Sequence, residues 1–323
     1  MAGQMNKHSS MKNNGSLLER AGALYGFDNR LGGIAATPVA PAPQEPAADV
    51  AAPVRASVAA SEPDPAFRVA DPAPRVSGRR RTVMLDREWL RRNNFIVPDE
   101  PVTGLAEEFR LIKRQLLLAA RGSKGFEKLP NGERILICSA LPDEGKTFCA
   151  VNLALSLASE KDNRVLLVDA DVAKPSVPEA LGFTAGPGLM DAIANPDADV
   201  EDYIVETDVA GLTILPAGTP SHLDTEYLAS ARTERVIDRL TSSDPARIVI
   251  FDSPPALVAS PASTLAFSVG QVLLVVKADS TTDGALRDAI KLLSGCEHIQ
   301  LVLNGTRFSA TGRHFGSYYG RGA

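Results

Sequence analysis

Short apolar stretches recur along the second half of the chain, and amphipathic segments separate them. The stretches Ile135–Cys138, Val165–Val168, Leu212–Leu215, Ile248–Phe251, Gln271–Lys277 and Gln300–Leu303 are too short for typical helices. They are rich in β-branched residues, so each predicts a strand buried on both faces. Helical spacing of apolar residues predicts helices opening at Lys146 and spanning Gly186–Ile193, Thr225–Leu228, Thr233–Leu240 and Asp283–Leu293. Strands alternating with helices through Arg134–Asn304 imply an α/β fold, a doubly wound and mostly parallel sheet flanked by helices. Ahead of it, Thr103–Arg121 reads as a strong helix with Leu105, Phe109, Ile112, Leu116 and Leu117 on one face.

The first part of the chain lacks this patterning. Met1–Gly15 is polar, and Ser16–Gly26 is a short amphipathic stretch, read either as a marginal helix or as a docking peptide for another protein. Ala35–Pro74 is rich in Ala and Pro and reads as a semi-extended linker. Arg75, Arg79, Arg80, Arg81, Arg87, Arg91 and Arg92 follow, a basic cluster that is a solvated linker end or a site for nucleic acid or acidic lipid. The expected organisation is therefore residues 1–34 as a polar tail with a short docking helix, 35–85 as linker, 86–308 as the folded domain and 309–323 as a flexible tail carrying tyrosines.

Composition narrows the class. The 323 residues suffice for a sizeable core, and a net charge of −5 gives no general reason to expect nucleic acid. Three cysteines lie apart in apolar segments with no metal spacing or disulfide framework, which fits a reducing cytoplasm. No secretory signal and no apolar run of about 18 residues is present, so no membrane span is expected and a membrane role would come through a partner.

The candidate chemistry begins where strand Ile135–Cys138 runs into Leu141, Pro142, Asp143, Glu144 and Gly145, and Lys146 and Thr147 open a helix. Strand, Gly-Lys-Thr, helix is the setting of a phosphate-binding loop: backbone N–H groups face the anion, the lysine reaches the β/γ-phosphates and the hydroxyl ligates Mg²⁺. Ala140 stands where the strict pattern has its first glycine. Two later strands also end in acids: Asp169 and Asp171 in one, Asp252 in the other. Ligand sites in open parallel sheets lie at the carboxyl ends of strands, and a bound Mg²⁺ would reconcile the neighbouring carboxylates.

The strings EEFRLIKR (Glu107–Arg114), CSALPDEGKTF (Cys138–Phe148), LLVDADVAKPSVPEALG (Leu167–Gly182), GLMDAI (Gly188–Ile193), LPAG (Leu215–Gly218) and RIVIFDSPP (Arg247–Pro255) occur in order. This constellation resembles the bacterial tyrosine kinases (BY-kinases), P-loop NTPases related to ParA and MinD. It looks closest to the exosortase (XrtA)-associated autokinases of exopolysaccharide clusters. The resemblance implies an ATP-dependent protein-tyrosine autokinase that transfers the γ-phosphate to tail tyrosines, here Tyr318 and Tyr319, and regulates exopolysaccharide biosynthesis or export. It implies ATP and Mg²⁺ as cofactors, with nucleotide contacts from Ala140, Leu141, Pro142, Asp143, Glu144, Gly145, Lys146, Thr147 and Phe148, and with Asn304 against the adenine. Lys146, Asp169 and Asp171 would be catalytic, Asp169 taking the tyrosine proton. Thr147, Asp169 and Asp252 would hold the metal. Glu107, Arg110 and Lys113 match a helix motif that joins subunits into rings, making a homo-oligomer the expected state. A membrane polysaccharide co-polymerase of the chain-length-determinant type is the implied partner, placing the chain in the cytoplasm at the inner face of the plasma membrane.

Some positions depart from that pattern. Lys113 stands where the ring motif has arginine, and a lysine cannot reproduce a bidentate guanidinium contact. Asp143 replaces a loop glycine, Ala173 replaces an arginine, and only two tyrosines remain in the tail. Two other readings are a ParA/MinD-like ATPase switch without tyrosine transfer and a non-catalytic ATP-binding regulatory subunit of a polysaccharide co-polymerase. Against the first, Leu141 and Pro142 occupy the region where that group's loop has its extra lysine. Against the second, Lys146, Thr147, Asp169 and Asp252 are all present.

Overall fold

A computed structural model of the chain describes residues 80–306. The expected docking helix Leu17–Tyr25, most of the linker, and Tyr318 and Tyr319 lie outside the described residues.

Eight strands form one sheet in the order β1-β4-β5-β3-β6-β2-β7-β8. They are β1 (Thr82–Val83), β2 (Arg134–Ser139), β3 (Arg164–Asp169), β4 (Val205–Thr207), β5 (Leu212–Leu215), β6 (Arg247–Asp252), β7 (Gln271–Lys277) and β8 (Ile299–Asn304). Every pairing is parallel except β4 with β5. In the centre β2 is flanked by β6 and β7, and β3 pairs with β6 so that Asp169 lies opposite Asp252. The register thereby brings two strand-end acids side by side.

Successive side chains of a strand face opposite ways, and the apolar residues of the central strands divide accordingly. Leu136, Cys138, Leu166, Val168, Val249 and Phe251 belong to one core layer, and Ile135, Ile137, Val165, Leu167, Ile248 and Ile250 to the other. The second layer is closed by α1 (Arg87–Arg92), α2 (Gly104–Arg121), α3 (Lys146–Ala158) and α4 (Val177–Ala180). The first is closed by α5 (Leu189–Ala194), α6 (Asp224–Leu228), α7 (Ala231–Ser242), α8 (Pro261–Ala266) and α9 (Asp283–Leu292). The helix α3 is buried from Cys149 to Ala158 because α2 covers its outer side. Truncating a side chain such as Leu153, which is 0% exposed, would cost about 2–5 kcal/mol.

The helix α2 starts where the sequence predicts, its first turn capped by the Thr103 hydroxyl, which accepts from Ala106 N at 3.2 Å. Lys113 differs from its expected role. It is 5% exposed and turned inward, with Nζ 2.8 Å from the Ser156 carbonyl and 2.9 Å from Glu160 Oε1. A buried ammonium requires such partners, so Lys113 ties α2 to the end of α3 and is no outward-facing interface residue. Glu107 and Arg110 pair with each other at 2.8 Å.

The start of the folded part also differs from the composition-based boundary. Thr82–Val83 pair with β4 inside the stretch expected to be linker. Arg80, expected as a solvated linker end, donates to Glu201 Oε2 at 2.9 Å. Glu201 in turn holds the buried Arg247 guanidinium through both carboxylate oxygens and accepts from Ser243 Oγ at 2.6 Å. Strands of two or three residues carry no readable periodicity, so β1 and β4 gave no sequence signal. The three cysteines are free and buried. Among the described residues, no helix is long and apolar enough to cross a membrane.

Candidate nucleotide site

The site is built where β2 ends and α3 begins. Asp143 sits at φ +59° and Gly145, the residue before α3, at φ +94°. Both belong to the left-handed region, which aspartate tolerates and glycine adopts freely. Gly145 is required for a second reason: a Cβ there would stand 2.1 Å from Asn304 Nδ2. Asn304 donates to the Glu144 carbonyl at 2.9 Å, so the end of β8 fixes the loop from the side. Asn304 is thus committed to the loop backbone, while its proposed adenine contact is a separate role that this hydrogen bond neither supplies nor requires.

Glu144 is not aimed at a ligand. It is 2% exposed; its Oε2 accepts from Leu141 N at 2.9 Å and its Oε1 from the Thr281 hydroxyl. Lys277 Nζ donates to the Asp143 carbonyl at 3.0 Å. The segment after β7 therefore braces the loop through Lys277 and Thr281, neither of which the sequence singled out. Ala140 is buried, its carbonyl accepting from Leu257 N at 3.2 Å. Pro142 and Asp143 form the exposed crest, and the Phe148 ring packs 5.5 Å from that of Phe95.

Three charged groups, Lys146, Asp169 and Asp171, act on the buried Asp252, beside the Thr147 hydroxyl. Lys146 Nζ lies 3.1 Å from Asp171 Oδ2. Asp169 Oδ2 accepts from the backbone N–H groups of Ser176 and Val177, each at 2.9 Å, while its Oδ1 is buried without a partner. Asp252 is fully buried and neither of its oxygens has a partner. Burial pushes the Asp169 carboxyl up to about 6, opposed by its two backbone donors. Burial pushes Asp252 up to about 7, opposed by the nearby Thr147 hydroxyl and the Lys146 charge. The Thr147 hydroxyl is 2.9 Å from Ser176 Oγ, a further residue the sequence reading did not single out.

Among the described residues, no three His, Cys, Asp or Glu side chains form a preassembled metal cluster. Mg²⁺ does not need one, because it is held by one or two carboxylates together with substrate phosphates and water. The unpartnered oxygens of Asp252 and Asp169 beside a threonine hydroxyl suit that mode. A cleft of about 400 Å³ beside the phosphate loop is lined by Gly145, Lys146, Thr147, Trp89, Asn93 and Glu179.

This geometry, a positive-φ loop at a helix start with a lysine and strand-end acids, can be compared with known proteins. Residues 142–304 match the family model described as an AAA domain. The chain belongs to that family. Among its relatives are tyrosine-protein kinases. It is 31% identical over 230 residues to EpsB of Ralstonia nicotianae, whose name proposes a tyrosine-protein kinase. The match covers 70% of this chain and 28% of EpsB, so the chain spans little more than a quarter of that relative's length. The tyrosine-protein kinase YwqD of Bacillus subtilis is 27% identical, over 70% of this chain and 91% of YwqD. The solved BceF tyrosine kinase domain superposes with a TM-score of 0.51 at 29% identity, covering 61% of this chain and 76% of BceF's.

Proposed function

We propose that the chain is an ATP-dependent protein-tyrosine autokinase acting on Tyr318 and Tyr319 and regulating exopolysaccharide biosynthesis or export. One observation carries the reading: Thr147, Lys146, Asp169 and Asp171 all act on the buried Asp252, and carboxylate oxygens of Asp169 and Asp252 are left unpartnered. Phosphoryl transfer asks mainly for charge neutralisation and in-line positioning. Lys146 would release Asp171 and take the β/γ-phosphates. Thr147 and Asp252 would hold Mg²⁺, which supplies charge neutralisation when bound, leaving Asp169 beside them as the base. A tyrosine hydroxyl titrates near 10 and needs a positioned base. Asp169 Oδ1 is the oxygen available to take that proton, since Oδ2 is occupied by two backbone donors.

The names of EpsB and YwqD support kinase chemistry, and ExoP of Rhizobium meliloti, 29% identical over 70% of this chain, is a succinoglycan biosynthesis transport protein. The chain aligns to 28% of ExoP. A separate membrane co-polymerase as partner, anchoring this chain at the inner face of the membrane, agrees with that likeness. Ring assembly would rest on Glu107 and Arg110, with Lys113 already used inside the subunit. The test is incubation with Mg²⁺-ATP and detection of phosphotyrosine in residues 309–323. ATP hydrolysis without phosphotyrosine would favour the nucleotide switch instead.

A further inference from the structure

Ser176 carries a hydroxyl whose use the kinase reading above does not explain. The residue stands immediately before the short helix α4, where a serine hydroxyl ordinarily accepts from a backbone N–H of the first turn. Here it makes no such bond. The second residue of the helix is Pro178, which has no N–H to give, and the Val177 N–H already donates to Asp169 Oδ2 at 2.9 Å. The Ser176 hydroxyl instead meets Thr147 Oγ1 at 2.9 Å, across 29 positions of the chain.

Ser176 therefore touches two parts of the site at once. Its backbone N–H donates to Asp169 Oδ2 at 2.9 Å, while its side chain meets the threonine in the first turn of α3. It is half-buried and lines the cleft beside the phosphate loop together with Lys146 and Thr147. A threonine hydroxyl has one proton and two lone pairs. When a lone pair is given to a cation the proton needs an acceptor, and the acceptor that takes it fixes where the lone pairs point. Two groups near Thr147 can accept, Ser176 Oγ and the Asp252 carboxylate. On the reading above Asp252 is itself committed to Mg²⁺, which leaves Ser176.

We infer that Ser176 is a positioning residue of the nucleotide site: its hydroxyl accepts the hydrogen bond of the Thr147 hydroxyl and so holds a Thr147 lone pair toward Mg²⁺. The inference rests on the assignment of Thr147 and Asp252 to Mg²⁺ in the kinase reading, and adds to it a residue that acts through Thr147. Groups that hydrogen-bond to a metal ligand commonly contribute about ten- to hundredfold to metal affinity. Ser176→Ala is a clean probe, because it deletes the contact to Thr147 and keeps the backbone N–H that serves Asp169.

The experiment titrates MgCl₂ into the full chain at a fixed, subsaturating ADP concentration and follows ADP binding by displacement of a fluorescent ADP analogue. A parallel titration of ADP in EDTA gives the affinity without metal. Ser176→Ala is expected to raise the Mg²⁺ concentration at half-maximal effect about tenfold, while the dissociation constant of ADP in EDTA moves by less than about twofold. Ser176→Thr, which keeps a hydroxyl, should recover most of the Mg²⁺ affinity. In a Thr147→Ala background Ser176→Ala should add nothing further, since the group it acts through is gone. An unchanged Mg²⁺ requirement in Ser176→Ala overturns the inference. So does equal weakening with and without metal, no recovery in Ser176→Thr, or a full additional loss in the Thr147→Ala background. ADP binding that ignores Mg²⁺ in the wild type would overturn the metal assignment itself, and the role of Ser176 with it. Tyrosine transfer does not enter the readout, so an absence of phosphotyrosine would end the autokinase reading and leave this test standing.

Discussion

Lys146 Nζ and Asp171 Oδ2 are 3.1 Å apart, so the lysine that would bind phosphate already has an anionic partner. Both groups are largely buried, 14% and 4% exposed at the side chain, and each limits the cost of desolvating the other. A nucleotide phosphate must compete with that carboxylate. Asp171→Asn removes the competitor, and the expected result is tighter Mg²⁺-free ADP binding, by roughly five- to tenfold. Calorimetric titration of ADP checks it. The same variant should melt at a lower temperature, because the Lys146 charge loses its partner.

Burial raises the Asp252 carboxyl by more than the nearby Thr147 hydroxyl and Lys146 charge lower it, and a bound cation would relieve the remaining penalty. Asp252→Asn should therefore raise the melting temperature of the nucleotide-free protein. It should also abolish the further rise that Mg²⁺ together with ADP gives the wild type. Thermal melting with and without Mg²⁺, at fixed ADP, reads both effects.

Gly145→Ala combines a positive φ of +94° with a clash at Asn304 Nδ2. Loss of ADP binding is expected without global unfolding, since the strain is local to the loop. Adding Asn304→Ala should restore little, because the clash is relieved and the φ penalty is not. Equal ADP affinity in wild type and Gly145→Ala would refute the loop geometry.

Away from the site, Glu201 joins Arg80, at the start of the described residues, to Arg247 of the sheet. Burial raises its pKa, but the hydrogen bonds from Arg247 and Ser243 and the Arg247 and Arg80 charges outweigh that and hold it below its usual value of 4.5. A depressed folded-state pKa means stability that is present above the unfolded value and lost as pH falls through the folded one. The wild type should thus lose stability below about pH 4.5. Glu201→Gln should be less stable at neutral pH, by about 3 kcal/mol, since Arg247 is left buried without its anion, and its acid limb should be shallower. Denaturant melts at pH 7 and pH 4 test both.

The legible parts of the fold were the local ones. An apolar run, a Gly-Lys-Thr turn and an apolar helix follow one another within residues 134–158, and runs ending in Asp169 and Asp252 mark strand ends by themselves. What escaped depends on distant contacts: Trp89 meets Ala180 across 91 positions, and Thr147 meets Ser176 across 29. No periodicity records such pairings. Lys113 is intermediate. It lies on the stripe of Phe109, Leu116 and Ala120, so its spacing already placed it on the buried face of α2, and only its charge argued otherwise. The long aliphatic stem lets a lysine occupy such a position when acceptors meet its end.

The central claim is tested most directly by incubating the full chain with Mg²⁺-ATP and mapping phosphate in residues 309–323 by mass spectrometry, beside Lys146→Met and the double variant Tyr318→Phe with Tyr319→Phe. The expected result is phosphate on Tyr318 or Tyr319 in the wild type and none in either variant. ATP hydrolysis with no phosphotyrosine, even with the cytoplasmic segment of a membrane co-polymerase added, would contradict the autokinase and leave a nucleotide switch.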